Sequence, residues 1–583
     1  MAKRKLKRRT LTENLRVGET WGLINIARLE PEIEYMFRHA LIQNATYHSV
    51  LKKDRQMLHA AVADTLERVY PDRSDELAAT LAHHYQLAGQ KDRAVRWFDR
   101  AIDVAMAGYA NSVAESLCRE TLTLAESESD KASLYSKLGR VLSRQSRFED
   151  AIGVWQQAID LYRNLGDSDS ACYLYARSGR ARYETGEIQR ALADSLQALE
   201  SIKDGARNAG MAALLHEAAR AYYFNGFSDK AKPLVEQALA MARECGSREI
   251  EADALCTYGI LPNVGPKDCL TALEAAAELA ERCGYYRIAL RSYNNLASTL
   301  NEMTGQLHRS IQCIQRALEL ARRIGSTYEV FFQTSNLLPG VVGLGDINRA
   351  ANMLDQLDEA FRNVPQPEEV KPLHLFSIAN VRHHQGDWET AYGLCVEGEV
   401  DLRKRGDHQS LRGNLNLQGG CLNEMGEFRQ AQAVLQDCLE GCQDSEYIRV
   451  AACICLSTSH LGQHHLEEAR QALDEAVRLS EHWPDNPLIN GLVKLGKGQL
   501  AAAESQKAAA DTEFSDAVSL LKSTDDQWRQ AYIIWKWGEA MRRLDGADDP
   551  HACDLLEQAA AEFEAMGAPL IAAQIRGERA PIE

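Results

Sequence analysis

The sequence predicts an all-α fold, a right-handed superhelical α-solenoid of antiparallel helix pairs, on three observations. A small residue returns at near-constant spacing along most of the chain, its surroundings return with it, and the composition is that of a helical protein. Aromatics are 7% of the 583 residues and Pro only 14 of them. Ala, Leu, Glu, Gln and Arg, which lose little rotamer freedom on a helix, dominate instead. A chain this long exceeds what one hydrophobic core serves, so several domains or a repeat array are required.

The beat is carried by Gly139, Gly179, Ala219, Gly259, Ala297, Leu338, Ala379, Gly419, Ser457, Gly498 and Gly538, with successive differences of 38 to 41 residues. Such a period marks a helical repeat array. Twelve residues after Gly139 comes Ala151, followed by Trp155 and Ala158; Gly179 leads in the same way to Ala191, Ser195 and Ala198. Ala219, Ala379, Gly419, Ser457 and Gly498 repeat the pattern, the last with Ala510, Phe514 and Ala517. Spacings of three and four place these residues on one helical face. Small residues there let two antiparallel helices approach closely, and the larger one fills the gap between neighbouring pairs. The turn between the helices carries Gly, as in Gly186-Glu187, Gly386-Asp387 and Gly426-Glu427, which supplies a left-handed helix cap. One hairpin cannot bury its apolar face alone; stacking buries a continuous core.

Irregularities are also legible. Leu338 is the one large residue on the beat, Pro262, Gly265 and Pro266 distort the unit after Gly259, and Ala552, Leu556 and Ala559 follow Gly538 two residues late. At the front, Ala82, Ala94, Phe98 and Ala101 fit one unit while Ile102, Ala114 and Cys118 fit another that begins inside it. Because one helix is expected to play a single part, the unit count there is left open.

The pattern resembles the tetratricopeptide superfamily from about residue 77 to about residue 577. The usual unit of that superfamily is about 34 residues; the longer period here resembles the sensor regions of large bacterial signalling ATPases. A second resemblance begins at Tyr35-Met36-Phe37-Arg38-His39-Ala40-Leu41 and continues through Leu51, Arg55, Leu58, His59, Ala63 and Leu66. It is similar to the junction between nucleotide-binding module and solenoid in the signal-transduction ATPases with numerous domains. It implies that Gly22-Leu23-Ile24 and Ile33 to Phe37 are remnants of a winged-helix wing. The expected organisation is a basic tail at 1–10, a winged-helix-remnant junction at 11–70, the solenoid at 71–577 and a short tail at 578–583.

The phosphate-binding loop of such an ATPase needs a Gly-rich turn ending in Lys and a hydroxyl residue. The nearest match, Gly491 to Gly498 with Lys497, lacks the hydroxyl and falls in a first helix of the repeat. No nucleotide, other cofactor or metal is therefore expected, and no enzyme. His460, His464 and His465 have an HxxxH spacing, but Leu461 stands where a zinc hydrolase carries Glu, so a polar cluster beside a turn is expected.

With 66 basic and 83 acidic residues, net −17, the chain is poorly suited to broad nucleic-acid binding. The exception is the tail with Lys3, Arg4, Lys5, Lys7, Arg8 and Arg9, where a nucleic-acid or acidic-lipid contact is the sharper reading beside a solvated tail. No apolar run approaches the roughly 20 residues of a membrane helix. The 14 Cys are scattered without a CxxC pair. Together these features lead to an expected cytoplasmic protein with reduced thiols.

In tetratricopeptide arrays the first helix of each pair lines the concave face. The resemblance assigns to it Arg140, Arg144, Arg180, Tyr183, Arg220, Tyr223 and Phe224, then Asn294, Asn301, Asn380, His383, His384, Asn416 and Asn423. Guanidinium forks match carboxylates and phosphates, aromatic faces hold apolar or planar groups, and Asn pairs with peptide backbone. The expected partner is a protein or peptide, with an acidic segment in the N-terminal half of the groove; a small inducer is a further expectation. The function read from this is an interaction scaffold or the sensor arm of a signalling system. The alternative is the C-terminal regulatory part of a multidomain ATPase, nucleotide cyclase or transcriptional regulator.

Overall fold

The computed structural model describes residues 8–28, 33–108, 110–202, 207–405, 407–440 and 446–577. Beyond Phe37 every regular element among them is helical, and the all-α repeat fold is the one observed. Two compact units divide the chain, Met1–Ala206 and Arg207–Glu583.

The first unit opens with helix Arg8–Thr20 and an antiparallel ribbon, Ile24–Arg28 against Glu34–Phe37, with Ile24 opposite Phe37. Strands therefore form where Ile24 and Ile33 to Phe37 suggest them. The basic tail lies outside the described residues up to Lys7, and Arg8 starts the first helix. The tail at 578–583 is likewise outside them. Helices Ala40–Ser49 and Lys52–Val69 follow, and among their side chains only Ala63 is fully buried.

Next come Ala78–Leu87, Lys91–Ala107, Asn111–Leu124, Glu128–Arg144, Phe148–Asn164, Ser168–Glu184 and Ile188–Ser201. Each packs on the next, and Lys91–Ala107 packs on both its neighbours. That corrects the expectation of a single part for this helix. Phe98 packs with Tyr85 and Leu81 in one apolar cluster while Ile102 packs with Ala114 and Cys118 in another, because Ala94 and Phe98 form one strip of the helix and Val95, Ile102 and Met106 the adjacent strip, so one broad apolar face serves both neighbours.

The second unit stacks eight hairpins from Ala209–Phe224 with Ser228–Glu244 to Pro487–Ala503 with Lys507–Leu521, then Gln527–Asp545 with Pro550–Met566 and a last helix Pro569–Arg576. The beat has a steric cause. A methyl at Gly139 would sit 2.3 Å from Trp155 Nε1, at Gly419 2.5 Å from Leu435, and at Gly498 2.9 Å from Phe514. At Leu338 the side chain is itself buried, and the close approach passes to Gly340, whose added methyl would meet Ile311 at 2.8 Å. Pro266 is absorbed as a helix-starting residue of Pro266–Arg282, a position where its missing N–H costs nothing. The turn glycines Gly186, Gly226, Gly345, Gly386 and Gly426 have φ between 79° and 90°. Ser146, His464 and Ser505 hold the same turn position at φ 61°, 62° and 63°. His464 thus lies in a turn rather than on a helical face with His460. Gly491, Gly496 and Gly498 are buried within Pro487–Ala503, and no phosphate loop forms there.

Pairs distant in sequence meet inside the second unit. Asp525 N–H donates to Gly305 O at 3.1 Å, Asn486 Nδ2 to Glu302 O at 2.6 Å, and Trp528 Nε1 to His384 O at 3.3 Å. One apolar cluster joins Ile347, Ala379, Trp388 and Cys421 to Trp528, Trp535, Phe563 and Ile571. Helix Gln527–Asp545 thereby lies against first helices Thr327–Gly343 and Pro367–Gln385.

Candidate partner-binding groove

The predicted groove residues sit on first helices in both units, and the structure treats them differently. In the first unit, Arg140 and Arg144 are half-buried on Glu128–Arg144, and Arg180 and Tyr183 on Ser168–Glu184. Arg144 Nη1 donates to Met106 O at 2.7 Å, tying its helix to Lys91–Ala107. Arg180 Nε lies 3.6 Å from Glu184, one helical turn away and weak for an ion pair. On the same helix Arg177 lies 4.7 Å over the Tyr173 ring and donates to its hydroxyl at 3.0 Å.

In the second unit Arg220 is 4% exposed and donates to both Glu217 oxygens at 2.9 and 2.7 Å. Its charge is held inside the fold and is not presented to a ligand, contrary to the expectation for this residue. Tyr223 and Phe224 pack edge to face at 5.0 Å. Asn301 falls in a wide helical turn, Leu300–Thr304, where its carbonyl accepts the N–H of Gly305 at 3.1 Å.

The inward positions of the later hairpins are largely used between the hairpins themselves. Asn423 Nδ2 donates to Cys455 O at 2.8 Å and its Oδ1 accepts from Ser459 at 2.7 Å. His383 Nδ1 lies 3.3 Å from Cys421 Sγ. His384 Nδ1 donates to Asn380 O at 2.7 Å, and its ring is 4.5 Å from that of Trp528. Burial alone holds the His383 imidazole down to about 4. Burial first, then His383 beside it, brings His384 to about 3, Asp526 and Arg529 acting in opposite directions. Both rings are neutral at pH 7, and Trp528 covers part of them while leaving each half-buried. The buried Oδ1 atoms of Asn294, Asn380 and Asn416 accept no hydrogen bond from any described residue.

What sequence reasoning missed is the helix that closes this face. Tyr532 Oη donates to Glu424 Oε1 at 2.6 Å, and Lys536 Nζ to Glu424 Oε2 at 2.9 Å. Burial, then the Glu424 carboxylate, raises the Tyr532 hydroxyl well above its ordinary value. The available signal was local: Trp528, Tyr532, Trp535 and Trp537 crowd into one helix of an otherwise aromatic-poor chain. A solvent-facing groove helix has no use for so much apolar surface.

Two stretches match the tetratricopeptide repeat. They are residues 132–165 and residues 290–324, each falling across a first helix, its turn and a second helix. No curated protein matches the chain. Among solved structures, it is similar to a chain of the crystal structure of the APC/C hetero-tetramer Cut9–Hcn1, at 15% identity and a TM-score of 0.48, covering 83% of this chain and 91% of that one. It is also similar to the yeast Tom70 crystal structure, at 14% identity and a TM-score of 0.34, covering 80% and 99%. The matched repeats and the hairpin stack agree on a tetratricopeptide-type solenoid. Among the described residues no three His, Cys, Asp or Glu are placed to hold a metal, and no helix is long and apolar enough to cross a membrane.

Proposed function

We propose that the chain is a protein-interaction scaffold of a regulatory system, and that an acidic peptide segment binds the first-helix face of its N-terminal unit. One observation carries the location. Arg140, Arg144, Arg180 and Tyr183 lie part-exposed on two successive first helices of a unit that, among the described residues, has no counterpart of the closing helix Gln527–Asp545. Guanidinium groups in such a place match carboxylates bidentately, and Tyr adds a flat apolar face with a polar tip. The regulatory setting is supported by the resemblance of residues 35 to 69 to a signalling-ATPase junction. It is supported too by the apolar surface this segment leaves open, with Leu41 82% and Leu51 73% exposed, more than a self-contained element of this size normally shows.

A random-peptide display selection tests the reading. Peptides captured by the wild-type chain should be enriched in Asp and Glu, and Arg140→Glu with Arg180→Glu should reduce their capture by at least tenfold while leaving the helical signal intact. Selected peptides without acidic bias, or unchanged capture by the double variant, would rule the site out.

A further inference from the structure

We infer that a small cavity in the second unit is a binding site for a carboxylate borne on an apolar group. It is independent of the groove reading. The cavity, about 280 Å³, opens where the C-terminal end of Trp388–Arg405, the first turns of His408–Glu424 and the C-terminal end of Phe428–Glu440 converge. Leu402, Leu411 and Leu415 line it together with Arg403, His408 and Arg412.

Arg412 is the anomaly. Among the described residues three Arg are buried, and two of them are neutralised in place: Arg182 by Glu187 and Asp194, Arg220 by Glu217. Arg412 is 9% exposed, yet among the described residues the one hydrogen bond of its guanidinium runs from Nε to His408 O at 2.9 Å. Its Nη1 is buried with no partner, and no carboxylate of the described residues pairs with it. A buried cation without a counter-charge is strongly unfavourable. The neighbouring carboxylates are engaged elsewhere. Arg403 binds both Glu399, at 2.6 Å, and Asp437, the one carboxylate among the residues that line the cavity. Asp407 accepts the N–H of Ser410 at 3.1 Å as a helix cap.

An anion entering the cavity would meet that guanidinium edge and the first turns of a helix, whose N–H dipoles also favour negative charge. The rest of the wall decides which anion. Leu402, Leu411 and Leu415 are all nearly fully buried, so they offer a desolvated apolar surface that a bare phosphate or sulfate leaves unused. The volume is at the small end of ligand pockets, which start at roughly 300 Å³, and admits a short aliphatic or aromatic acid. The same chemistry is presented by a peptide ending in an apolar residue with a free C-terminal carboxylate.

The test uses the whole chain and its melting temperature under titration with hexanoate, benzoate and inorganic phosphate. A second arm compares a peptide ending in Leu, with a free or an amidated C-terminus. The expected result is a saturable rise with hexanoate or benzoate that weakens at least tenfold in apparent affinity in Arg412→Met. That variant should be at least as stable as the wild type without ligand, since it removes an uncompensated charge while keeping the volume; Arg412→Lys should keep weakened binding. A free-carboxylate peptide that binds more tightly than hexanoate, with no binding of its amide, assigns the site to a chain terminus; the reverse order assigns it to a free acid. The inference is overturned if no carboxylate shifts the wild type, if Arg412→Met responds equally, if phosphate acts as strongly as hexanoate, or if Arg412→Met fails to fold.

Discussion

Gly139→Ala and Gly153→Ala place the same substitution in one hairpin and should move its stability in opposite directions. Both glycines lie inside helices, where Ala is favoured by about 1 kcal/mol through backbone entropy. At Gly153, exposed on Phe148–Asn164, a new methyl meets nothing within 4 Å, so that gain stands alone. At Gly139 the methyl would lie 2.3 Å from Trp155 Nε1, 2.5 Å from Cδ1 and 2.7 Å from Cε2. The indole is 1% exposed and donates to Ser136 O at 3.2 Å. Moving it forfeits a hydrogen bond of about 1 kcal/mol and overpacks the core at a cost of about 1–3 kcal/mol. The net effect is a loss of about 1–3 kcal/mol, separating the variants by roughly 2–4 kcal/mol. A repeat array does not unfold as one two-state step, so the measurement is native-state hydrogen exchange of the amides in Glu128–Arg144 and Phe148–Asn164. Faster exchange in Gly139→Ala and slower in Gly153→Ala is expected; equal protection in the two would refute the steric origin of the repeat.

Two further outcomes follow from particular residues. Ser146→Gly, His464→Gly and Ser505→Gly should each stabilise their hairpin by roughly 0.5–1 kcal/mol, since left-handed strain of about 1–2 kcal/mol outweighs the extra unfolded-state freedom of Gly; unchanged or lower urea midpoints would show these turns relaxed. His383 and His384 have folded values of about 4 and about 3 against an ordinary 6.5, so the unfolded chain takes up protons first. Their contribution is complete above pH 6.5 and is lost as pH falls towards 4, about 3 kcal/mol for His383. Melting curves at pH 7 and pH 5 should therefore diverge more for the wild type than for His383→Asn with His384→Gln, and equal divergence counts against the buried-imidazole account.

The repeat was legible because its cause is local. Gly139 against Trp155 and Gly498 against Phe514 are contacts within one hairpin, and a fixed sequence spacing records them. The turn position was legible too, although Ser146, His464 and Ser505 show that a strained residue can stand where Gly is expected. The groove was harder. Whether an inward Asn or His meets a ligand or the next hairpin depends on the approach of neighbouring first helices, as with Asn423 and Ser459, and spacing within one helix does not record that. The burial of His384 under Trp528 joins residues 144 positions apart, a pairing with no periodic trace. Arg412 is the same kind of case, since nothing in its sequence neighbours announces that no carboxylate of the described residues pairs with it.

The bonds from Gly305 to Asp525 and from Glu302 to Asn486 change the folding problem of the second unit. An open array grows by adding one hairpin to the next, nucleates anywhere and folds through short loops. Here a large share of the interior becomes available only after nearly the whole unit has been synthesised, because Trp528, Trp535, Phe563, Ile571 and Ile575 all belong to it. Contacts of such sequence separation slow the search and bind early and late hairpins into a single transition. A nascent or truncated chain ending near residue 520 would expose the apolar sides of Ala379, Trp388 and Cys421 and become a chaperone client, where an ordinary linear array would tolerate the loss of a terminal repeat.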